Sequence, residues 1–267
     1  MTTCTPVGAT RWLIEAMDTV FSVAAPGLVG RPDAEELVAA LATGLSLIED
    51  TLSAFRSNSE ISRWRTGRLA TAQLSPVTRA VIAACDDLER VTGGAFSARR
   101  AGGYDPTGYV KGWALARTQH RLEEARAGSF CLNGGGDTVV RGRAPHGGPW
   151  RVGVAHPNRP GELATIITAE PGDERPLAVA TSGTSERGQH LTHPQTGWQP
   201  LRSAITVVGS DIALVDAVAT AALVLGQEGT AEPARLVENL GLEAVGFGED
   251  GRPWWTPGMT RYALLPA

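Results

Sequence analysis

Apolar residues recur along this chain with two periods, and the two alternate irregularly. At helical spacing, Leu37, Leu41, Leu45, Ile48 and Leu52 mark a helix N-capped by Asp33 and ended at Phe55-Arg56-Ser57-Asn58. Residues 59–64 open a short helical turn, and residues 75–91 form another amphipathic helix, with Ser75 as N-cap and Pro76 in its first position, closed by Thr92-Gly93-Gly94. A helix at 110–125, a continuous apolar run at 212–225 and a helix at 230–240 complete the helical set. Strand character falls at 12–24, where Met17-Asp18-Thr19 lies inside the strand, and at 129–132, 138–141, 150–155, 164–169, 177–180, 203–208, 243–248 and 261–265. Turns are expected at 26–32, at Asn133-Gly134-Gly135-Gly136-Asp137, and at a hairpin tip over 143–150.

Helices interrupt runs of strands without a strand-helix rhythm, which favours an α+β fold with mixed, mostly antiparallel sheets over a doubly wound one. Neither a repeat nor a linker divides the chain, so residues 1–11 read as a tail and residues 12–267 as one domain.

Composition narrows the class of partner. A net charge of -4 with 42% hydrophobic and 19% charged residues gives no basic field for nucleic acid or a membrane surface. The seven tryptophans and three tyrosines show no aromatic-basic pattern that would stack bases, so no nucleic-acid partner is assigned. Cys4, Cys85 and Cys131 are too scattered for a disulfide framework or a CxxC metal site and fit a reducing compartment. Residues 1–11 lack a signal-peptide pattern, and no stretch reaches the roughly twenty apolar residues of a membrane span. The expectation is a cytoplasmic protein without a membrane anchor.

Within the apolar run 212–225, Asp216-Ala217-Val218-Ala219-Thr220 sets a carboxylate and a hydroxyl four residues apart, on one helical face. Two hard oxygen donors on an apolar helix suit Mg²⁺, which keeps its other positions for water and phosphate, and so point to phosphoryl chemistry. An Asp near a helix start also complements the backbone dipole, and a Thr can bond back to its own turn, so the pair alone leaves both readings open. The glycine-rich stretch 94–112 reads as a loop suited to close backbone approach. Its end, Asp105-Pro106-Thr107-Gly108-Tyr109-Val110-Lys111-Gly112, leads an anion and a lysine into a helix start that can receive phosphate, though the GxxxxGK[ST] spacing is absent. Thr181-Ser182-Gly183-Thr184 offers small hydroxyls after an apolar strand. The segment 190–197 carries His190 and His193, two of only five histidines, each able to move a proton near neutrality.

Taken in order, Met17-Asp18-Thr19, the segment 53–60, Gly94-Ala95-Phe96, the segment 105–112, Leu132 through Asp137, Ala178 through Gly183, the segment 190–197 and Asp216 through Thr220 resemble the ApbE family of FAD:protein FMN transferases. The resemblance implies two interlocked α+β lobes with a cleft between them for FAD, and Mg²⁺ at the pyrophosphate. It implies transfer of the FMN portion of FAD to a Thr or Ser hydroxyl of a target flavoprotein or redox subunit, with release of AMP. By the same matching, Asp216 and Thr220 bind the metal with side chains and Gly108 with its carbonyl, while Met17, Phe55, Ala95, Phe96, Ser97, Asp105, Lys111, Thr181 and His190 line the nucleotide. Lys111 shares the charge of the leaving group and His190 accepts the acceptor's proton, with His193 an alternative proton carrier.

This chain departs from the family pattern at four positions. Ser97, His193 and Ala116 stand where the family usually has Asp, and Phe55 where it has Tyr. With water in place of the acceptor hydroxyl, the same site is an FAD pyrophosphatase yielding FMN and AMP; without catalysis it is an FAD-binding protein.

Overall fold

The computed structural model describes residues 2–3, 10–100, 102–169, 175–183, 197, 203–226, 229–248 and 250–264. Its centre is an eight-stranded sheet in which every neighbouring pair is antiparallel. Its strands are β2 (Trp12–Ala16), β3 (Thr19–Ala24), β6 (Phe130–Gly134), β7 (Asp137–Arg141), β10 (Leu177–Gly183), β11 (Ala204–Gly209), β12 (Glu243–Phe247) and β13 (Pro253–Trp255), in the spatial order β13-β12-β11-β10-β7-β6-β3-β2. A second sheet orders β1 (Thr2–Thr3), β8 (Arg151–Ala155) and β9 (Leu163–Thr168), and β4 (Arg99–Arg100) pairs with β5 (Gly103–Tyr104) as a small hairpin. The helices are α1 (Ala34–Leu52), α2 (Glu60–Arg65), α3 (Pro76–Val91), α4 (Thr107–Glu124), α5 (Ile212–Leu225) and α6 (Ala231–Asn239). The α+β expectation holds.

The central strands are apolar on both sides because both sides are covered. Val139, Ala178, Ala180, Ile205 and Val207 face α1, α4 and α5, while Val140, Leu177, Val179 and Val208 face the small sheet with Trp150, Val152 and Ile167. A third cluster joins Leu52, Ile61, Val81, Cys85, Phe96 and Val110 to Ala217, Ala221 and Val224 of α5. Helix α5 is therefore enclosed between the sheet and the other helices, which is why its sequence is apolar all round.

Several boundaries differ from the sequence reading. The strand expected at 12–24 is a hairpin: Met17 and Asp18 adopt φ of 55° and 54°, the geometry of a tight two-residue turn that matches strand twist, and Trp12 pairs with Val23. Helix α4 starts at Thr107 rather than 110, because the amides of Tyr109 and Val110 both donate to the Pro106 carbonyl and Asp105 Oδ1 accepts the Thr107 amide at 3.0 Å. The loop at 94–112 is shortened accordingly. The strand at 177–180 continues to Gly183 through its pairing with β11. In place of a strand at 261–265 the described residues form a 3₁₀ turn at Pro257–Arg261 and one bridge from Ala263 to Ile167, while β13 was not anticipated. Thr2 and Thr3, expected in a tail, pair with β8. Asp33 occupies the N-cap position of α1, but its carboxylate accepts from Arg31 instead of capping.

Helix α4 ends in a Schellman arrangement: the Ala127 amide donates to the Leu122 carbonyl and the Arg126 amide to that of Glu123, each at 2.9 Å. The left-handed residue, usually glycine, is Arg126 at φ 53°. Arg126→Gly is expected to raise unfolding stability by about 1 kcal/mol in urea titration.

A candidate cation and nucleotide site at the strand ends

The β6–β7 hairpin turns through Gly135 and Gly136, at φ of 60° and 97°, which delivers Asp137 as the first residue of β7. By strand alternation Asp137 shares the helix-facing side with Val139, and it is only 1% exposed. Asp216 on α5 is 4% exposed. Lys111 on α4 serves both: its Nζ pairs with Asp137 Oδ2 in a close contact and lies 3.4 Å from Asp216 Oδ1. The remaining oxygens are tied to backbone, with Asp137 Oδ1 accepting the Thr181 amide at 3.3 Å and Asp216 Oδ2 the Gly112 amide at 3.0 Å.

Gly112 is where α4 and α5 come closest. A Cβ there would stand 2.9 Å from Asp216 Cβ and 2.9 Å from the Ile212 carbonyl oxygen, so any side chain forces the helices apart. The Gly112 amide that donates to Asp216 is the one that closes on the Gly108 carbonyl in a regular helix. One turn along α5 from Asp216, Thr220 Oγ1 lies 3.2 Å from Ser182 Oγ. Burial first, and the Asp137 carboxylate second, push the Asp216 carboxyl above the usual carboxylate range, with Lys111 and the Gly112 amide opposing. Among the described residues, two buried carboxylates stand against one ammonium, a negative excess that a cation would neutralise, so the donor set fits a hard divalent ion.

The structure therefore brings together Lys111, Asp216, Thr220 and Gly108 from the sequence reading, and adds Asp137, Ser182 and Gly112. Thr181 contributes its amide; its hydroxyl, on the opposite face of the sheet, bonds Thr206 Oγ1 at 2.8 Å. Ala95 and Phe96 are buried, and the Phe96 ring lies against Gly108. Ser97, also buried, bonds Glu89 Oε1 at 2.8 Å, and Arg99 bridges Glu89 and Asp86, each at 2.7 Å. Asp105 binds the first amide of α4, and its own amide donates to Ala98. Met17 sits in the β2–β3 turn, where its amide donates to Glu49 Oε2 at 3.1 Å. Phe55, 78% exposed on the α1–α2 connection, stands outside the buried cluster. His190 and His193 lie outside the described residues. A cavity of about 290 Å³ bounded by Arg141, Leu177, Gly209 and Tyr262 lies at the opposite end of the same strands and holds none of these residues.

Asp137 was visible only as the end of a glycine turn. Its signal was a carboxylate opening an otherwise apolar strand, Asp137-Thr138-Val139-Val140, where a buried charge requires a partner.

An antiparallel α+β sheet with buried carboxylates gathered at its strand ends against an apolar helix defines the class of fold. The ApbE family model matches residues 17–102 and 97–245, and the chain belongs to the ApbE family. A FAD:protein FMN transferase of Rhodobacter capsulatus is 33% identical over 163 residues, covering 57% of this chain and 29% of that protein. One from Haemophilus influenzae is 27% identical over 140 residues, covering 49% of this chain and 40% of its own length. The chain thus spans less than half the length of these curated relatives. Among solved structures, the flavin transferase ApbE from Vibrio cholerae superposes with a TM-score of 0.80 at 18% identity, over 96% of this chain and 100% of that one. The apo form of Pseudomonas stutzeri flavinyl transferase ApbE gives 0.77 at 19% identity, over 97% and 99%. No helix among the described residues is long and apolar enough to cross a membrane.

Two expectations follow from the packing and charge of this cluster. Gly112→Ala is expected to cost about 1–3 kcal/mol in urea unfolding, because the added methyl meets backbone and the Asp216 stem. Asp216, whose carboxyl is raised above its ordinary value of 3.8, contributes stability that is full below that value and lost as pH rises through the folded value. Cation-free protein is therefore expected to lose stability as pH is raised across this window, and Asp216→Asn to flatten that slope in thermal unfolding measured at stepped pH.

Proposed function

We propose that this protein transfers the FMN portion of FAD to a Thr or Ser hydroxyl of a target flavoprotein or redox subunit, releasing AMP, with Mg²⁺ held by Asp216, Thr220 and the Gly108 carbonyl. The observation that carries this reading is the pair of buried carboxylates, Asp137 and Asp216, arranged around Lys111 beside a helix start. Membership of the ApbE family and the names of the relatives support it.

Mg²⁺, when bound, would supply charge neutralisation at the pyrophosphate. The chain's own residues supply the rest. The start of α4, at Thr107, turns the positive end of its helix dipole toward an anionic substrate. Lys111, held at the edge of the buried cluster, places a positive charge where the departing AMP oxygen gains its negative one. Phe96 backs Gly108 and so fixes the approach of the α4 start. The acceptor hydroxyl forms its bond to the FMN phosphorus as the bond from that phosphorus to the AMP oxygen breaks, and His190 takes the hydroxyl proton. The network of Ser97, Glu89 and Arg99 puts a carboxylate from α3 beside the position where the family pattern has one from the loop.

Purified protein mixed with FAD, Mg²⁺ and a candidate acceptor, followed by in-gel flavin fluorescence, tests the proposal. Flavin on the acceptor is the expected result; free FMN and AMP would mean hydrolysis, and unreacted bound FAD a binding protein. Asp216→Asn is expected to reduce transfer by about two orders of magnitude and His190→Ala by a comparable factor. Full transfer by the His190 variant would remove that residue from the mechanism.

A further inference from the structure

We infer that Asp137 is a positioning residue, which sets the affinity of the Asp216 site for a divalent cation by drawing Lys111 toward itself and weakening the Lys111–Asp216 pair. The inference rests on the cation reading above. Each of the two carboxylates has one oxygen fixed by a backbone amide, Asp137 Oδ1 by Thr181 and Asp216 Oδ2 by Gly112. Each therefore turns its other oxygen toward the Lys111 ammonium, and neither can rotate without giving up an amide in a buried setting. The ammonium is in close contact with Asp137 Oδ2 but 3.4 Å from Asp216 Oδ1.

The Asp216 oxygen that faces Lys111 is the one a cation would need. An ammonium and a dication cannot both neutralise it, since they repel each other at short range. Asp137, almost wholly buried and anchored at the start of β7, draws the lysine toward its own side and so loosens its hold on Asp216 Oδ1, 3.4 Å away. Deprived of Asp137, the lysine would settle on Asp216, the other carboxylate it pairs with among the described residues, and compete with the metal for it. The role is thus indirect: Asp137 acts through Lys111, as outer partners commonly act through the groups they orient.

The test is Mn²⁺ binding to the full chain, read from the electron paramagnetic resonance signal of free Mn²⁺, without nucleotide and with ADP. Asp137→Asn is expected to weaken binding roughly tenfold, while the same substitution in a Lys111→Gln background changes it by less than about threefold. Equal losses in the two backgrounds would show that Asp137 acts through space on the ion and overturn the inference, as would an unchanged affinity in Asp137→Asn. Lys111→Gln alone supplies a second arm, independent of whether the Asp137 variant folds: tighter nucleotide-free Mn²⁺ binding supports the competition, and weaker binding overturns it. A native chain that takes up no Mn²⁺ with or without ADP would instead remove the cation site itself. Thermal midpoints of all variants separate loss of fold from loss of affinity.

Discussion

A carboxylate on a helix that has no solvent-facing side is the constraint around which this molecule is arranged. Helix α5 contacts the sheet on one side and the helical cluster on the other, so Asp216 cannot escape to water. A charge in that position requires hydrogen bonds and a counter-charge. The Gly112 amide supplies the first, through an approach of α4 that only glycine permits, and Lys111 one residue earlier supplies the second. A single pair of adjacent residues on α4 thus meets the Asp216 carboxylate of α5.

The sheet contributes the other half. Antiparallel pairing places the start of β7 beside the second half of β10, so Asp137 meets Thr181, 44 positions away in the chain, with Ser182 next to it. Strand alternation then divides their roles. Asp137 and Ser182 face the helices and reach Lys111 and Thr220, while the Thr181 and Thr206 hydroxyls pair on the other face and leave only the Thr181 amide for the site.

Ser97, where the resemblance to the family implies a carboxylate, is bonded within its own layer. Glu89 from α3 accepts the serine hydroxyl, and Arg99 ties Glu89 to Asp86, which puts negative charge near the loop that leads to α4. Part of this was readable in the residues themselves: Ser75 and Pro76 announced α3, and the apolar run around Asp216 announced a buried helix with a polar stripe of two. The turn at Met17 and Asp18 was not, because neither is a glycine and left-handed geometry there is imposed by the pairing of β2 with β3. The early start of α4 was hidden for a related reason, since Pro106 and Gly108 read as loop until the Asp105 carboxylate accepts the Thr107 amide between them.

Local periodicity, turn residues and ordered short motifs, all properties of neighbours in the chain, determined the helices, most strands, the α+β class and the ApbE resemblance. Only the folded molecule decided which carboxylate stands against which cation. Asp137 and Lys111 are 26 positions apart and Gly112 and Asp216 are 104 apart, and such pairs depend on sheet order and helix crossing, to which no local pattern responds.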